Sequence, residues 1–133
     1  MLLYFDTNVL ISALKDEKNV IGRDISTPAI QLIYSVVACR HRIVISTWTK
    51  KELSRHFENA TALLQVLKPK TKEISYTEKD IEKAREISPE HFHDALHGIL
   101  AHRAGADFIV TRNVKDFACV RHLVRAQLPE FFV

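Results

Sequence analysis

At 133 residues, with 19 Lys and Arg against 16 Asp and Glu and a formal charge of +3, the chain has the length of one domain. Its 47% hydrophobic content is enough to close a core and excludes intrinsic disorder, while its two cysteines, Cys39 and Cys119, fall in no disulfide or metal-binding pattern. No apolar run reaches the roughly 18–20 residues of a membrane span, and Asp6 interrupts the N-terminus too early for a signal peptide, so the expectation is a single cytoplasmic domain over residues 1–133 with no membrane partner.

Leu2 to Phe5 is a continuous apolar run that stops at an acid. Arg42 to Ser46 and Asp107 to Thr111 repeat that design, and such unalternating, β-branched runs predict parallel strands buried on both faces. A helix start is expected near Asn8. Thr27-Pro28 predicts a second helix, carrying Ala29, Ile30, Ile33, Val36 and Val37 at helical spacing up to Cys39. Thr47 can cap a third over Trp48 to Phe57, with a continuation through Ala62 to Leu67 before Pro69. Lys72 to Tyr76 reads as a short strand. Thr77 and Asp80 resemble a capping box opening a polar helix with Ile81, Ala84 and Ile87 turned inward, and after Ser88-Pro89 a further helix runs from Glu90 to a terminating Gly105. His122 to Arg125 reads as a last strand. This order predicts a three-layer α/β/α sandwich with a mostly parallel sheet and a ligand site beyond the C-terminal strand ends.

Asp6 ends the first strand, Glu52 follows the second in Thr49-Lys50-Lys51-Glu52-Leu53, and Asp94 opens the helix in His93-Asp94-Ala95-Leu96-His97. Each has a plain structural alternative: Asp6 as a helix cap, Glu52 as an exposed acid near a helix N-terminus, Asp94 as a first-turn helix acid. Yet all three project from one edge of the predicted sheet, where clustered carboxylates raise one another's pKa unless a cation is present. Oxygen ligands without thiolates favour Mg2+ or Mn2+. Thr111-Arg112-Asn113-Val114-Lys115-Asp116 adds an amide and a further acid, which is otherwise a solvated residue or local cap. Basic residues surround these acids: Arg40, His41, Arg42, Lys50, Lys51, Arg55 and His56 on one stretch, Arg112, Lys115, Arg121 and Arg125 on another. Such a surface suits a polyanion or is simply solvated.

Leu3-Tyr4-Phe5-Asp6-Thr7-Asn8-Val9-Leu10, Glu52 after Ile43-Val44-Ile45-Ser46, Asp94-Ala95-Leu96-His97 and Val110-Thr111-Arg112-Asn113-Val114-Lys115-Asp116-Phe117 together resemble the PIN-domain family, in its order and over essentially the whole chain. The resemblance implies a metal-dependent ribonuclease, many small prokaryotic members being VapC-type toxins that act beside a small antitoxin. It assigns Asp6, Glu52 and Asp94 as acidic metal ligands, with Asn8 and Thr111 as polar supports. The family's fourth acid follows the strand in Thr-Arg-Asp, where this chain has Asn113, leaving Asn113 or the nearby Asp116 to complete the site. Lys51, Arg55, Arg112 and Lys115 flank these motifs and can hold backbone phosphates. A degenerate PIN domain that binds RNA or protein without cleaving is the rival reading.

His93 and His97 stand four apart, a shortened relation of the HExxH zinc motif, but with Asp for Glu and no third ligand following. His97 reads instead as a partner of Asp94 or a half-buried packing residue, His91 as solvent-facing, and Trp48 and Tyr34 as core. The helix after Thr27-Pro28 has more apolar surface than one sheet face covers, which predicts a homodimer.

Overall fold

The computed structural model describes residues 1–15, 24, 26–55 and 60–133. Its centre is a five-stranded sheet of order β3-β2-β1-β4-β5. The strands are β1 (Leu2–Phe5), β2 (Arg42–Ser46), β3 (Thr71–Ile74), β4 (Phe108–Val110) and β5 (Arg125–Gln127). Every pairing is parallel, with Tyr4 opposite both Val44 and Ile109. The helices are α1 (Thr7–Leu14), α2 (Ser26–Val37), α3 (Thr47–Ser54), α4 (Ala60–Leu67), α5 (Glu78–Ile87) and α6 (Phe92–Arg103), with a 3-10 segment at Val114–Val120.

The period-2 alternation of strand side chains sorts the core into two halves. Leu3, Phe5, Ile43, Ile45 and Val110 point to one face, where Val9, Leu10, Leu32, Val36 and Leu67 from α1, α2 and α4 cover them. Tyr4, Val44 and Ile109 point to the other, beneath Ala84, Leu96, Ile99 and Leu100 from α5 and α6 and Phe117 and Val120 from the 3-10 segment. Helix α3 joins both halves, since Leu53 belongs to the first and Trp48 to the second. The result is the three-layer α/β/α arrangement expected from the sequence. From β1 the chain crosses to β2 on one side, whereas β4 lies on the other and leads outward to β5. A crevice therefore opens at the C-terminal ends of β1 and β4, where ligands bind in open parallel sheets.

Local signals set several element ends. Thr77 and Asp80 form a complete capping box on α5. Asp80 is buried and also accepts a hydrogen bond from Arg103 on α6 at 2.5 Å. Gly105, at φ 75°, closes α6: its N–H donates to His102 and that of Ala106 to Ala101, satisfying carbonyls that the helix end leaves open. Gly98 permits a close approach, because a Cβ there would meet Val120 Cγ2 at 2.4 Å.

Other expectations need correction. Helix α2 begins at Ser26, where the Asp24 carboxylate accepts the N–H of Ser26 at 2.9 Å. The helix after β2 is capped by Ser46, not Thr47: the Ser46 hydroxyl accepts from Thr49 N–H. It ends at Ser54, and α4 covers Ala60–Leu67; the expected helix end at Phe57, like His56, falls outside the described residues. The third strand begins one residue early, at Thr71. The helix expected from Glu90 begins at Phe92. The last strand is Arg125–Gln127 rather than His122 to Arg125, because Leu123 and Val124 spend their N–H groups on the Val120 carbonyl and cannot pair with β4. Tyr34 is not core but 70% exposed, since α2 turns Leu32, Ile33 and Val36 to the sheet and leaves Ile30, Tyr34 and Val37 outward. Among the described residues no helix is long and apolar enough to cross a membrane.

Candidate active site

Asp6 stands at the end of β1 as the N-cap residue of α1, yet its side chain makes no capping hydrogen bond. Asp6 is buried, its side chain 12% exposed, and its carboxylate turns to the end of β4, where the Thr111 hydroxyl donates to Oδ2 at 2.8 Å. That hydroxyl also accepts the Asn113 N–H at 3.0 Å and approaches Asn8 Nδ2 at 3.4 Å, so its hydrogen-bonding capacity is filled. Asn8 Oδ1 accepts the Arg112 N–H at 3.2 Å, which ties the first turn of α1 to the loop after β4.

Glu52 enters from the second turn of α3. Its Oε1 accepts from the Thr7 hydroxyl at 3.0 Å and lies 2.7 Å from His97 Nε2. His97 is 2% exposed, and the same Nε2 is 3.7 Å from Asp6 Oδ1. Its Nδ1 meets Tyr4 Oη at 2.6 Å. His97 thus gives its Nε2 contact to Glu52, close to Asp6, while its charge also acts on Asp94, and it is wholly buried rather than half-buried. The i, i+4 histidine pair does not face one ion, since the His93 ring stacks on Trp48, 5.6 Å between centroids. Trp48 is core, as expected, and His91 is exposed.

Asp94 lies in the first turn of α6, half-buried, with Asp116 of the 3-10 segment close enough for their charges to interact. Asp116 is exposed, and Asn113 precedes that segment without capping it through its side chain. Arg112, Asn113, Lys115 and Asp116 line one open cavity of about 370 Å3. Lys115, Arg121 and Arg125 line a neighbouring one of about 600 Å3 over Phe117, Val124 and Ala126. Of the other cations, Lys51 lies 5.2 Å over the Trp48 ring, Arg55 is exposed, Arg112 pairs with Glu130 and Lys50 pairs with Glu73.

These surroundings shift the acids in opposite directions. Burial raises the Asp6 pKa, and the Glu52 charge adds to it, against the lowering by His97 and Thr111. Burial also raises Asp94, reinforced by the charges of Asp116 and Asp6. Glu52 goes the other way: burial would raise it, but the hydrogen bond and charge of His97 and the Thr7 hydroxyl hold it below its usual value. For His97, burial opposes charge, but Tyr4, the Glu52 hydrogen bond and the Asp6 charge outweigh it and lift the pKa well above the ordinary imidazole value.

The donor set fits a hard divalent cation in its chemistry, being carboxylate oxygens whose mutual repulsion an added positive charge would relieve. Among the described residues no three His, Cys, Asp or Glu side chains stand close enough together to enclose an ion. Glu52 already spends one oxygen on two protein donors.

A parallel α/β sandwich with acids gathered at the C-terminal edge of its sheet defines a class of acidic-site domains. Within that class, the PIN-domain family model matches residues 3–123, and the chain belongs to that family. The fold also resembles a chain of the crystal structure of VapBC2 from Rickettsia felis bound to a DNA fragment from their promoter. That similarity has a TM-score of 0.61 at 16% identity, covering 96% of this chain and 98% of the other. No curated protein matches the sequence. Tyr4 and Thr7 are the site residues that sequence reasoning missed, and His97 was read with Asp94 but not with Glu52; for Tyr4 the available signal was a polar side chain in an otherwise apolar strand.

Proposed function

We propose that this protein is a metal-dependent endoribonuclease that hydrolyses RNA phosphodiester bonds, acting as the toxin of a toxin–antitoxin pair in the cytoplasm. The observation that carries the reading is the meeting of acids from separate segments, Asp6 with Glu52 around His97 and Asp94 with Asp116, at the crevice between β1 and β4. Asp6, Glu52 and Asp94 would hold Mg2+ or Mn2+, with Asn113 or Asp116 completing the shell. An ion held there would supply a water acidified and oriented for attack on a phosphodiester, and a second ion would stabilise the leaving oxygen. Thr111 and Asn8 orient Asp6 and the loop after β4. Lys51, Arg55, Arg112 and Lys115 give affinity for backbone phosphates without choosing a sequence. Attack by water on phosphorus with the 3′ oxygen as leaving group would break the P–O3′ bond and leave a 5′-phosphate and a 3′-hydroxyl.

The VapBC2 likeness supports a small antitoxin protein as partner. A peptide placing an Arg or Lys among the acids would neutralise them. Ile30, Tyr34 and Val37, spaced along one exposed stripe of α2, support a homodimer. Light scattering at micromolar concentration is expected to give the dimer mass, and a monomer mass counts against it.

Asn113 in place of an acid, together with the lack of a three-ligand cluster among the described residues, favours one rival, a PIN domain that binds RNA or protein without cleaving it. Millimolar Mn2+ separates the two. A metal enzyme gains thermal stability by mass action and cuts RNA at mappable sites, whereas an inert module does neither.

A further inference from the structure

We propose that Tyr4 and His97 are a positioning pair for Glu52: His97 holds one carboxylate oxygen, Tyr4 keeps the imidazole from turning, and Glu52 presents only Oε2 to a cation. This rests on the metal reading for what Glu52 does, but not for how Glu52 is held.

Tyr4 is fully buried in the middle of β1, on a face whose strand neighbours are Val44 and Ile109. Shape alone would be served there by an apolar ring. A phenol and an imidazole in such a place cost stability unless every polar atom finds a partner, and here each does. Tyr4 Oη lies 2.6 Å from His97 Nδ1 and 2.7 Å from Ser46 Oγ. His97 Nε2 lies 2.7 Å from Glu52 Oε1, and because a carboxylate only accepts, Nε2 carries the hydrogen.

Both ends of this chain of hydrogen bonds return to α3. Ser46 caps that helix, accepting the Thr49 N–H at 3.0 Å and bonding the Thr49 hydroxyl at 3.1 Å, and Glu52 stands on the next turn. Thr7 supplies a second donor to Oε1 at 3.0 Å. With donors from α1 and α6 on the same oxygen, the carboxylate cannot rotate without breaking both. Oε2 has no hydrogen bond among the described residues. The ligand oxygen is therefore selected by residues that never touch the metal, as outer partners of metal ligands do elsewhere.

Uptake of Mn2+ by the full chain, followed through the electron paramagnetic resonance of the free ion, tests the pair. Tyr4→Phe and His97→Leu are expected to weaken binding about 10-fold, and His97→Gln, whose amide nitrogen can reach the place of Nε2, to stay within about 3-fold of the parent. Equal affinity in His97→Leu and the parent overturns the proposal, as does a His97→Gln no better than His97→Leu. If His97→Leu does not fold, Tyr4→Phe and His97→Gln carry the comparison. A metal-free measurement separates this proposal from the metal reading. In 15N-histidine NMR spectra the His97 ring N–H is expected to be protected in the parent and to lose protection in Tyr4→Phe. A parent that takes up no Mn2+ removes the metal reading alone, whereas protection unchanged in Tyr4→Phe removes the positioning pair.

Discussion

The Asp6–Glu52 corner of the site and the Asp94–Asp116 corner hold carboxylates in opposite ways. In the first, every acid has protein donors: Thr111 on Asp6, Thr7 and His97 on Glu52, and a buried imidazole near both. In the second, half-buried Asp94 and exposed Asp116 repel each other, and burial and that repulsion push Asp94 upward. The difference is one of where the balancing positive charge originates. The first corner is oriented by hydrogen bonds of the fold itself, while in the second the charges of His97 and His91 do not outweigh burial and repulsion, leaving part of the balance to a cation or a basic partner.

The largest expected effect comes from removing a charge in each corner. Asp6→Asn and Asp94→Asn should each reduce RNA cleavage by more than about 100-fold, since loss of an outer partner of a metal ligand already costs about 10–100-fold. Wild-type rates in both variants would remove the site assignment. A subtler break of the first corner is Thr111→Val, which keeps the shape but deletes the donor to Asp6 and the acceptor of Asn113 N–H. Mn2+ affinity should fall about 10-fold, read by calorimetry.

The second corner can be disturbed without touching its chemistry. Gly98→Ala places a Cβ against Val120 and forces α6 away from the 3-10 segment that carries Asp116. Overpacking of this kind costs about 1–3 kcal/mol, to be measured by denaturant unfolding. Asn113→Asp should sharpen the contrast by adding a charge to the open corner, tightening Mn2+ binding severalfold, about 1 kcal/mol. Asp116→Ala, titrated alongside, should weaken it only mildly; a deep loss of cleavage would make Asp116 a ligand.

The smallest effect is on stability in chelator. The Asp94 pKa is raised in the folded chain, so the folded state holds this proton more tightly than the unfolded state does. Its charge then costs stability as pH rises through the raised value. Asp94→Asn is therefore expected to melt above the parent at neutral pH, the gap closing as pH falls toward the ordinary Asp value of 3.8. A pH-independent gap would assign the gain to packing.

What the sequence determined by itself was whatever is encoded within a few residues. The runs Leu2 to Phe5 and Arg42 to Ser46 announced buried parallel strands because nothing in them alternates, and Asp6 was legible as the acid at a strand end. Thr77 with Asp80 and Gly105 marked helix ends, since caps are made by neighbours in the chain. The tertiary structure decided the rest. Nothing near His97 in the chain says that its hydrogen bonds go to Tyr4, 93 residues away, and Glu52, 45 residues away, rather than to Asp94 one turn before it. The late start of β5 depended on the Val120 carbonyl capturing the N–H groups of Leu123 and Val124, and the exposure of Tyr34 on which face α2 laid against the sheet. Periodicity and capping are local free energies and can be read residue by residue. The partner of a buried polar group is chosen only when distant segments close over it and leave it no water.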